Sequence, residues 1–581
     1  MRYTPADPLE LETRYVVTVG EGISDLAGNV MTETPPPFEF ATAGRPMLLG
    51  ADPADGAEDV PLDAPIVLTF STSLMDTASV EDQLRLSPAF EHELLWSGEL
   101  LEIVPAEPLE PDRAYEISIG SEAADVAGVT FGEEVRVTFR TVAPGLAAET
   151  LVPADGVDGI APISPIAVIF DRPIDPDSVA GDQLTINPGV AGTLEVVSLP
   201  DDPPDDDGAG SVLQFTPSGP LPSNTTFEVE LAPEVAATTG DTMGEPLRWS
   251  FTTGAPTAAI SNAIVFVTDR AGIANVWAMN PDGTGQRQIT AELDPIVDYA
   301  VAPDGSSLVV SDGRHLVYQR ADGTARRVLT DAAHIEFDPT YAPDGERVAF
   351  ARADAESGAG LGLWEWPVGG GDAAPIELPD SGAGTPAPAP STLALRAPRY
   401  APDGEALAFI DVAGFVGILD PSAGRLAAAP FVAAAAPIWM ADSTAVLLTG
   451  SRTSETDPET TFVAPVRPLA SGPSDAVHRL ARTGSAANEL RFGVGSAVLA
   501  VGMDGRVAYA DRDGRLRIAE SPLEAPFGPA LTEEAVFAAA LAPGEPSAVV
   551  AIDGGALVLV DFATEERMPL GASGADPRWL P

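Results

Sequence analysis

Four histidines, His92, His315, His334 and His478, are the only imidazoles in the chain, and no two stand at a spacing that would ligate one metal ion. His334 and Asp338 lie on the approach to a predicted strand, so they are the best-placed pair for acid–base work, with a structural loop histidine as the competing reading. DRDGR from Asp511 has the opening residues of a calcium loop but lacks the later ligands and the terminal Glu, so a hairpin turn is predicted. The acidic run DDPPDDDGAG from Asp201 could hold a divalent cation loosely. Its prolines and unspaced carboxylates predict a solvated hairpin insertion instead. Trp277, Trp364, Trp366 and Trp439 could stack on sugars, although strand positions predict that they pack between neighbouring sheets. GASGA at Gly571 is the nearest phrase to the Gly-x-Ser-x-Gly turn that exposes a nucleophilic serine, and it lacks the last Gly. No catalytic, metal-binding or cofactor-binding residue is assigned from these patterns, no cofactor is implied, and the ligand-binding residues stay unknown.

The elements that would position such groups are strands. VAPDGSSLVV from Val301, YAPDGERVAF from Tyr341 and YAPDGEALAF from Tyr400 each read as strand, Pro-Asp-Gly turn and strand. Recurrence of this kind predicts a radial array of small sheets, a β-propeller. Inner strands are expected near Tyr299, Tyr341, Tyr400, Trp439, Leu499, Phe537 and Trp579, giving seven blades. Six with an irregular insertion is the alternative, because Pro-Asp-Gly decays near Trp439 and Leu499. NAIVFVTDRAGIANVWAMNPDGTGQRQIT from Asn262 supplies three strands with no inner strand ahead of them, while DPRWLP from Asp576 echoes APRY at Ala397. The carboxyl-terminal strand is therefore expected to complete the first blade. PDSGAGTPAPAPST from Pro379 and SRTSETDPET from Ser451 are expected to project as mobile loops.

A different repeat comes first. PADG at Pro53 returns as PADG at Pro153, and period-two alternation places Ile66, Leu68 and Phe70 in register with Ile166, Val168 and Phe170. Later strands repeat as Tyr15, Val17, Val19, as Tyr115, Ile117, Ile119 and as Phe227, Val229, Leu231. Closing strands carry Phe38 and Phe40, then Val135, Val137 and Phe139, then Leu247, Trp249 and Phe251. Units of roughly a hundred residues and about seven such strands predict β-sandwiches of immunoglobulin-like architecture. Asp25, Asp125 and the PADG aspartates could bind calcium, but an Asp beside Gly is the ordinary chemistry of a tight turn. Ala237 stands where the other copies carry Asp25 and Asp125.

Composition limits the partners. The 87 acidic residues against 31 basic ones leave a formal charge of −56, and every basic residue is Arg. Two readings compete, a GC-rich genome that depletes Lys and adaptation to salt that adds acidic residues, and the two can act together. Such a field repels phosphate backbones, which argues against nucleic acid as a partner. With no cysteine, disulfides and thiolate sites are excluded. The most apolar stretch, from Leu426, is broken by Pro430 and Pro437, so no transmembrane segment is expected.

PADGAEDVPLDAPIVLTFS, MDTASVEDQLRLSP, DLAGN at Asp25, DVAG at Asp125 and the closing VTFRT and WSFTT resemble the SbsA-type bacterial Ig-like domains of surface proteins. The aromatic-Ala-Pro-Asp-Gly repeats resemble TolB-like and WD40-like propellers, with Ala302, Ala342 and Ala401 where Ser is usual. The predicted organisation is all-β: a partial Ig-like domain at 1–44, Ig-like sandwiches at 45–143 and 144–254, a linker at 255–261 and a propeller at 262–581. No leader peptide is visible, and residues 2–20 match the middle of a later repeat, so the chain is expected to begin partway through a domain. These resemblances imply a non-catalytic extracellular or envelope protein, its Ig-like spacers presenting a propeller that binds protein or glycan at its rim or channel. A propeller-based hydrolase or lyase, an accessory subunit of a separate enzyme, and a structural component of a surface layer are the alternatives. Inward-facing Asp, Glu, Arg and His clustered at one mouth would favour the enzymatic one. The charge carries its own test: the melting temperature is expected to rise from low to physiological salt and beyond as acidic repulsion is screened. An unchanged or falling value in thermal melts would refute that.

Overall fold

The computed structural model describes residues 3–7, 9–73, 75–143, 145–181, 183–198, 211–378, 394–411, 414–422, 425–433, 435–452, 476–481, 488–489, 496–521 and 528–581. The three loops expected from Asp201, Pro379 and Ser451 lie outside these residues, apart from Pro379's neighbours up to 378 and Ser451 and Arg452 themselves. Two compact units divide the chain, Met1–Gly145 and Leu146–Pro581.

In the first unit, Leu48–Asp52, Ile66–Phe70, Leu100–Pro105 and His92–Ser97 form one four-stranded sheet, in the order 48–52, 66–70, 100–105, 92–97. Ala57–Val60, Val135–Thr141, Ala114–Ile119 and Leu84–Ser87 form the other. Each sheet is apolar on one face, so the two faces must meet. Ile66, Leu68, Phe70, Leu101 and Ile103 are buried with Tyr115, Ile117, Ile119, Val137 and Phe139 in one cluster. Each such side chain fully removed from water contributes about 1.5–3 kcal/mol. A helix of 7 residues, about two turns, Thr77–Gln83, begins at Asp76, whose carboxylate accepts the Ser79 N–H, and inserts the fully buried Val80 into this core. Ahead of the sandwich, Arg14–Val17 pairs antiparallel with Phe38–Ala41. This ribbon stacks Tyr15 on Phe40 at 5.6 Å, yet Val16, Phe38 and Phe40 stay exposed. Two strands offer no second sheet to cover them.

The second unit opens with the same sandwich plan. Ala148–Val152, Ile166–Phe170, Ser211–Pro217 and Gly192–Ser198 make one sheet, and Val157–Ile160, Leu247–Thr253, Thr226–Leu231 and Leu184–Asn187 the other. Ile166, Val168 and Phe170 are buried with Phe227, Val229, Leu231, Trp249 and Phe251, as the alternation predicts. The PADG aspartates act as stitches. Asp55 accepts from the Thr138 N–H at 2.8 Å, and Asp155 from the Ser250 N–H at 2.8 Å, tying each turn to the closing strand of its sandwich.

From Ala263 onward the described strands form antiparallel meanders. Four-stranded sheets are built from 298–301 to 327–328, from 334–341 to 374–375 and from 536–541 to 566–573. A three-stranded one runs from Ala497–Val501 to Leu516–Ala519. One larger sheet joins the meander beginning at Leu395–Tyr400 to the one containing Ile438–Trp439, through pairing of Arg425–Ala433 with Ala445–Arg452. Each of the seven expected inner-strand residues lies in a strand. The tail strand Ala575–Leu580 pairs antiparallel with Ala263–Thr268, Leu580 opposite Ala263 and Trp579 opposite Ile264. Buried clusters lie between consecutive sheets: Val265 and Tyr299 share one, Val309 and Tyr341 the next, Leu363 and Leu407 a third.

The second sandwich is packed directly on this array. Ala154 N–H donates to Ala271 O at 3.0 Å, and Ala161 N–H to Gln288 Oε1 at 3.2 Å. Val152, Ala167 and Val212 of the sandwich enclose Ile273 of the array, with Leu293 alongside. Gly272 sits at φ +104°, and a Cβ there would come within 2.1 Å of Leu151 O. Gly272→Ala is therefore expected to destabilise the unit by about 2 kcal/mol or more, adding a steric clash to backbone strain. Gly358→Ala, with φ +67° and nothing within 4 Å of the added carbon, should show the backbone cost alone, about 1 kcal/mol. Denaturant melts of both variants check this, and equal losses would mean the sandwich does not pack closely on the array.

Candidate ligand site at the inner strands

Three inner strands carry the same irregularity. Between Phe337 and Thr340, between Arg396 and Arg399, and between Ala575 and Arg578, two residues oppose one on the neighbouring strand. The single opposing residue is a phenylalanine each time, Phe350, Phe409 and Phe266, and all three are buried at 1% exposure or less. On the bulged side the first residue is Asp338, Ala397 or Asp576, at φ +55°, +50° and +47°, and the second is Pro339, Pro398 or Pro577. Positive φ in a residue other than glycine costs of order 1–3 kcal/mol, which the surrounding packing must supply. A bulge also re-aims the side chains beside it.

These bulges gather charge. Arg578 donates to Asp298 Oδ1 at 3.1 Å and to Asp576 Oδ2 at 2.6 Å, and its guanidinium lies 4.1 Å above the Tyr299 ring. The Tyr299 hydroxyl is 2.7 Å from Asp576 O and 3.0 Å from Val265 O, so the second sheet grips the tail strand. Asp338 Oδ2 accepts the Ala397 N–H at 2.8 Å and lies 3.5 Å from Arg396 Nε. Trp439 Nε1–H donates to Arg399 O at 2.8 Å, which fixes the backbone under that arginine.

The side chains of Asp298 and Arg578 keep 22% and 32% of their surface accessible, in otherwise crowded surroundings. Burial pushes the Asp298 carboxyl up to about 6, against the attraction of Arg578 and Arg399 and aided by Asp576 and Asp338. Burial works against the Arg578 charge, but Asp576, Tyr299 and Asp298 together hold its guanidinium above the usual range. Burial likewise raises the Tyr299 hydroxyl well above its ordinary value. Groups on the strands 575–580, 298–301, 334–341 and 395–400 thus share one electrostatic field. The inner strands Ala497–Val501 and Val536–Leu541 carry no charged residue, and Phe537 there is 64% exposed. The inner strands are charged along one arc and apolar along another.

The candidate acid–base partners do not meet. His334 Nδ1 lies 2.6 Å from Asp331 Oδ1, whereas Asp338, turned by its bulge, is engaged by Ala397 and Arg396. His315 pairs with Asp312, His92 with Phe90 O, and His478 lies in the strand Ala476–Ala481. Asp511 accepts from the N–H groups of Asp513 and Arg515 and from Arg517 Nε, the bonding of a hairpin turn. Asp25 and Asp125 each accept two backbone N–H groups, and the Ala237 copy keeps the same backbone turn, with the Thr239 hydroxyl donating to Asp241 Oδ2. Among the described residues no group of three or more His, Asp or Glu is placed to hold a metal ion. Trp277, Trp366 and Trp439 are buried, and Trp364 is covered by the Arg352 guanidinium at 3.8 Å, so packing occupies all four rings. Gly571 lies within the strand Glu566–Ser573. Asp298, Asp576, Arg396, Arg399 and Arg578 were not picked out by residue type. The recurring residue-Pro-residue-aromatic phrases DPTY, APRY and DPRW were the available signal.

Residues 43–141 and 143–253 each match the family model described as bacterial Ig-like domain. Among curated proteins no sequence matches this chain. Solved structures similar to it include the putative TolB from Agrobacterium tumefaciens, at 14% identity and TM-score 0.30, covering 54% of this chain and 89% of that one. TolB from Acinetobacter baumannii follows at 14% identity and TM-score 0.32, covering 62% and 80%. The C-terminal WD40 domain of Sif2 stands at 14% and 0.33, covering 48% and 72%. At such scores these likenesses add nothing to what the sheets themselves show. No helix among the described residues is long and apolar enough to cross a membrane. The chain contains two bacterial Ig-like domains followed by antiparallel sheets of β-propeller type.

Proposed function

We propose that this chain is a non-catalytic surface or secreted protein whose Ig-like units act as spacers and whose propeller binds a protein or glycan partner at its rim or channel. The supporting observation is the inner-strand arc, where bulged backbone and mutual ion pairs hold Asp298, Asp338, Asp576 and Arg578 in place before any ligand arrives. A surface ordered in advance spends little binding energy on immobilising side chains. The second sandwich, packed on the array through Gly272 and Ile273, carries that surface at a fixed attitude. The net charge of −56 disfavours nucleic acid as the partner.

Cell fractionation with an antibody to the full chain is expected to find it in the envelope or the medium. Glycan arrays and cross-linking on intact cells should return a partner bound with micromolar affinity or better. Recovery from the cytosol alone, or no binding in either assay, would overturn the reading.

One observation favours a propeller-based hydrolase or lyase: a carboxyl at about 6 exchanges protons near neutrality, as a general acid or base must. Its premise can be checked by stability. A carboxyl whose folded value lies above its unfolded one, about 3.9, binds more protons when folded. Its contribution is therefore complete below about pH 4 and is lost as pH rises to about 6. Asp298→Asn cannot ionise, so relative to the unchanged protein it should gain up to about 3 kcal/mol between those limits. Melting curves from pH 4 to 8 check this, and parallel curves would remove the acid–base reading. Turnover of a glycoside and ester panel that Asp298→Asn abolishes would instead replace the non-catalytic one.

A further inference from the structure

We infer that Arg396 and Arg399 form a receptor for a carboxylate group carried by the propeller's ligand. The inference rests on the binding reading above and names the chemistry of its site. On a regular strand, residues three apart project to opposite faces. The bulge at Ala397 and Pro398 changes this, because Arg396 pairs with Ile410 and Arg399 with Ala408, two residues that share one face. Two guanidinium groups therefore leave the inner strand on the same side.

Arg399 is not neutralised by the fold, and Arg396 only in part. Arg399 spends Nη1 on Pro398 O at 2.8 Å, and among the described residues no carboxylate stands at ion-pair distance from it. Arg396 Nε is buried without a hydrogen-bond partner, its nearest acid being Asp338 Oδ2 at 3.5 Å. A buried donor without an acceptor is costly. The planar guanidinium fork matches the two oxygens of a carboxylate. Phosphate would match the fork as well, but Asp298, Asp338 and Asp576 share this field and repel a dianion about twice as strongly as a monoanion.

The test uses the full chain and [13C]acetate as the probe, with carboxyl line broadening followed by NMR at constant ionic strength and pH 7.5. Saturable binding with a millimolar Kd is expected, weakened at least tenfold in Arg399→Gln and in Arg396→Gln. Arg512→Gln, at a side chain 79% exposed, should leave it unchanged. Arg399→Lys keeps the charge, loses the fork and should fall between, which decides the matter if Arg399→Gln fails to fold. Asp298→Asn should tighten binding severalfold. Absence of saturable binding up to about 100 mM, insensitivity to Arg399, or tighter binding of inorganic phosphate would each overturn the assignment. A partner found on arrays while acetate fails would sink the carboxylate receptor and leave the binding reading intact. Acetate binding without any macromolecular partner would do the reverse.

Discussion

The tail strand, Ala575–Leu580, makes the contact on which much else in the propeller depends. It adds the fourth strand to the sheet begun by Ala263–Thr268, and it delivers Asp576 and Arg578 to Tyr299 and Asp298 of the next sheet. A sheet edge left open would expose unpaired N–H and C=O groups and the apolar flank of Phe266. With the strand in place, Ile264, Phe266, Trp277 and Met279 are fully buried in the same cluster as Val549, Leu557 and Leu570 of the sheet that precedes the tail. The contact that completes the core is also the one that assembles the charged arc.

Charge is distributed in this protein against a steep background. Among the described residues, carboxylates such as Asp304, Asp322 and Asp344 accept backbone N–H groups in turns, and arginine is scarce. Where arginines meet at the inner strands, each has a different degree of neutralisation: Arg578 is held between two aspartates, Arg396 approaches one, and Arg399 has none at ion-pair distance among the described residues. That gradient, rather than net charge, gives the arc its chemical character. Asp298 responds to it, since burial outweighs the attraction of Arg578 and Arg399 and raises its carboxyl.

The two halves of the repeat logic show how tertiary contact reuses a sequence element. In both sandwiches the PADG turn is stitched by its aspartate to the closing strand. In the second, the same turn also meets the propeller, where Ala154 donates to Ala271. An identical phrase thus serves as an interior fastener in one copy and as fastener and docking edge in the other. The glycine that permits the approach, Gly272, belongs to the other side of the contact.

Period-two alternation in Ile66, Leu68, Phe70 and their counterparts determined which faces are buried, because a sheet of that pattern has one apolar side and must cover it. The Pro-Asp-Gly phrases determined the hairpins, and the echo of APRY in DPRW determined where the last strand would pair. These are local signals, readable within about ten residues. His334 and Asp338 do not meet, because a bulge, which no residue type announces alone, turns Asp338 toward Ala397. Asp298 and Arg578 stand 280 residues apart, and their ion pair exists only because the tail strand returns to the first sheet. Packing against protein, not residue type, raises the carboxyl of Asp298, and opposition to one buried phenylalanine brings Arg396 and Arg399 to one face. Strands and turns were decided by neighbours in the chain, and the site by neighbours in space.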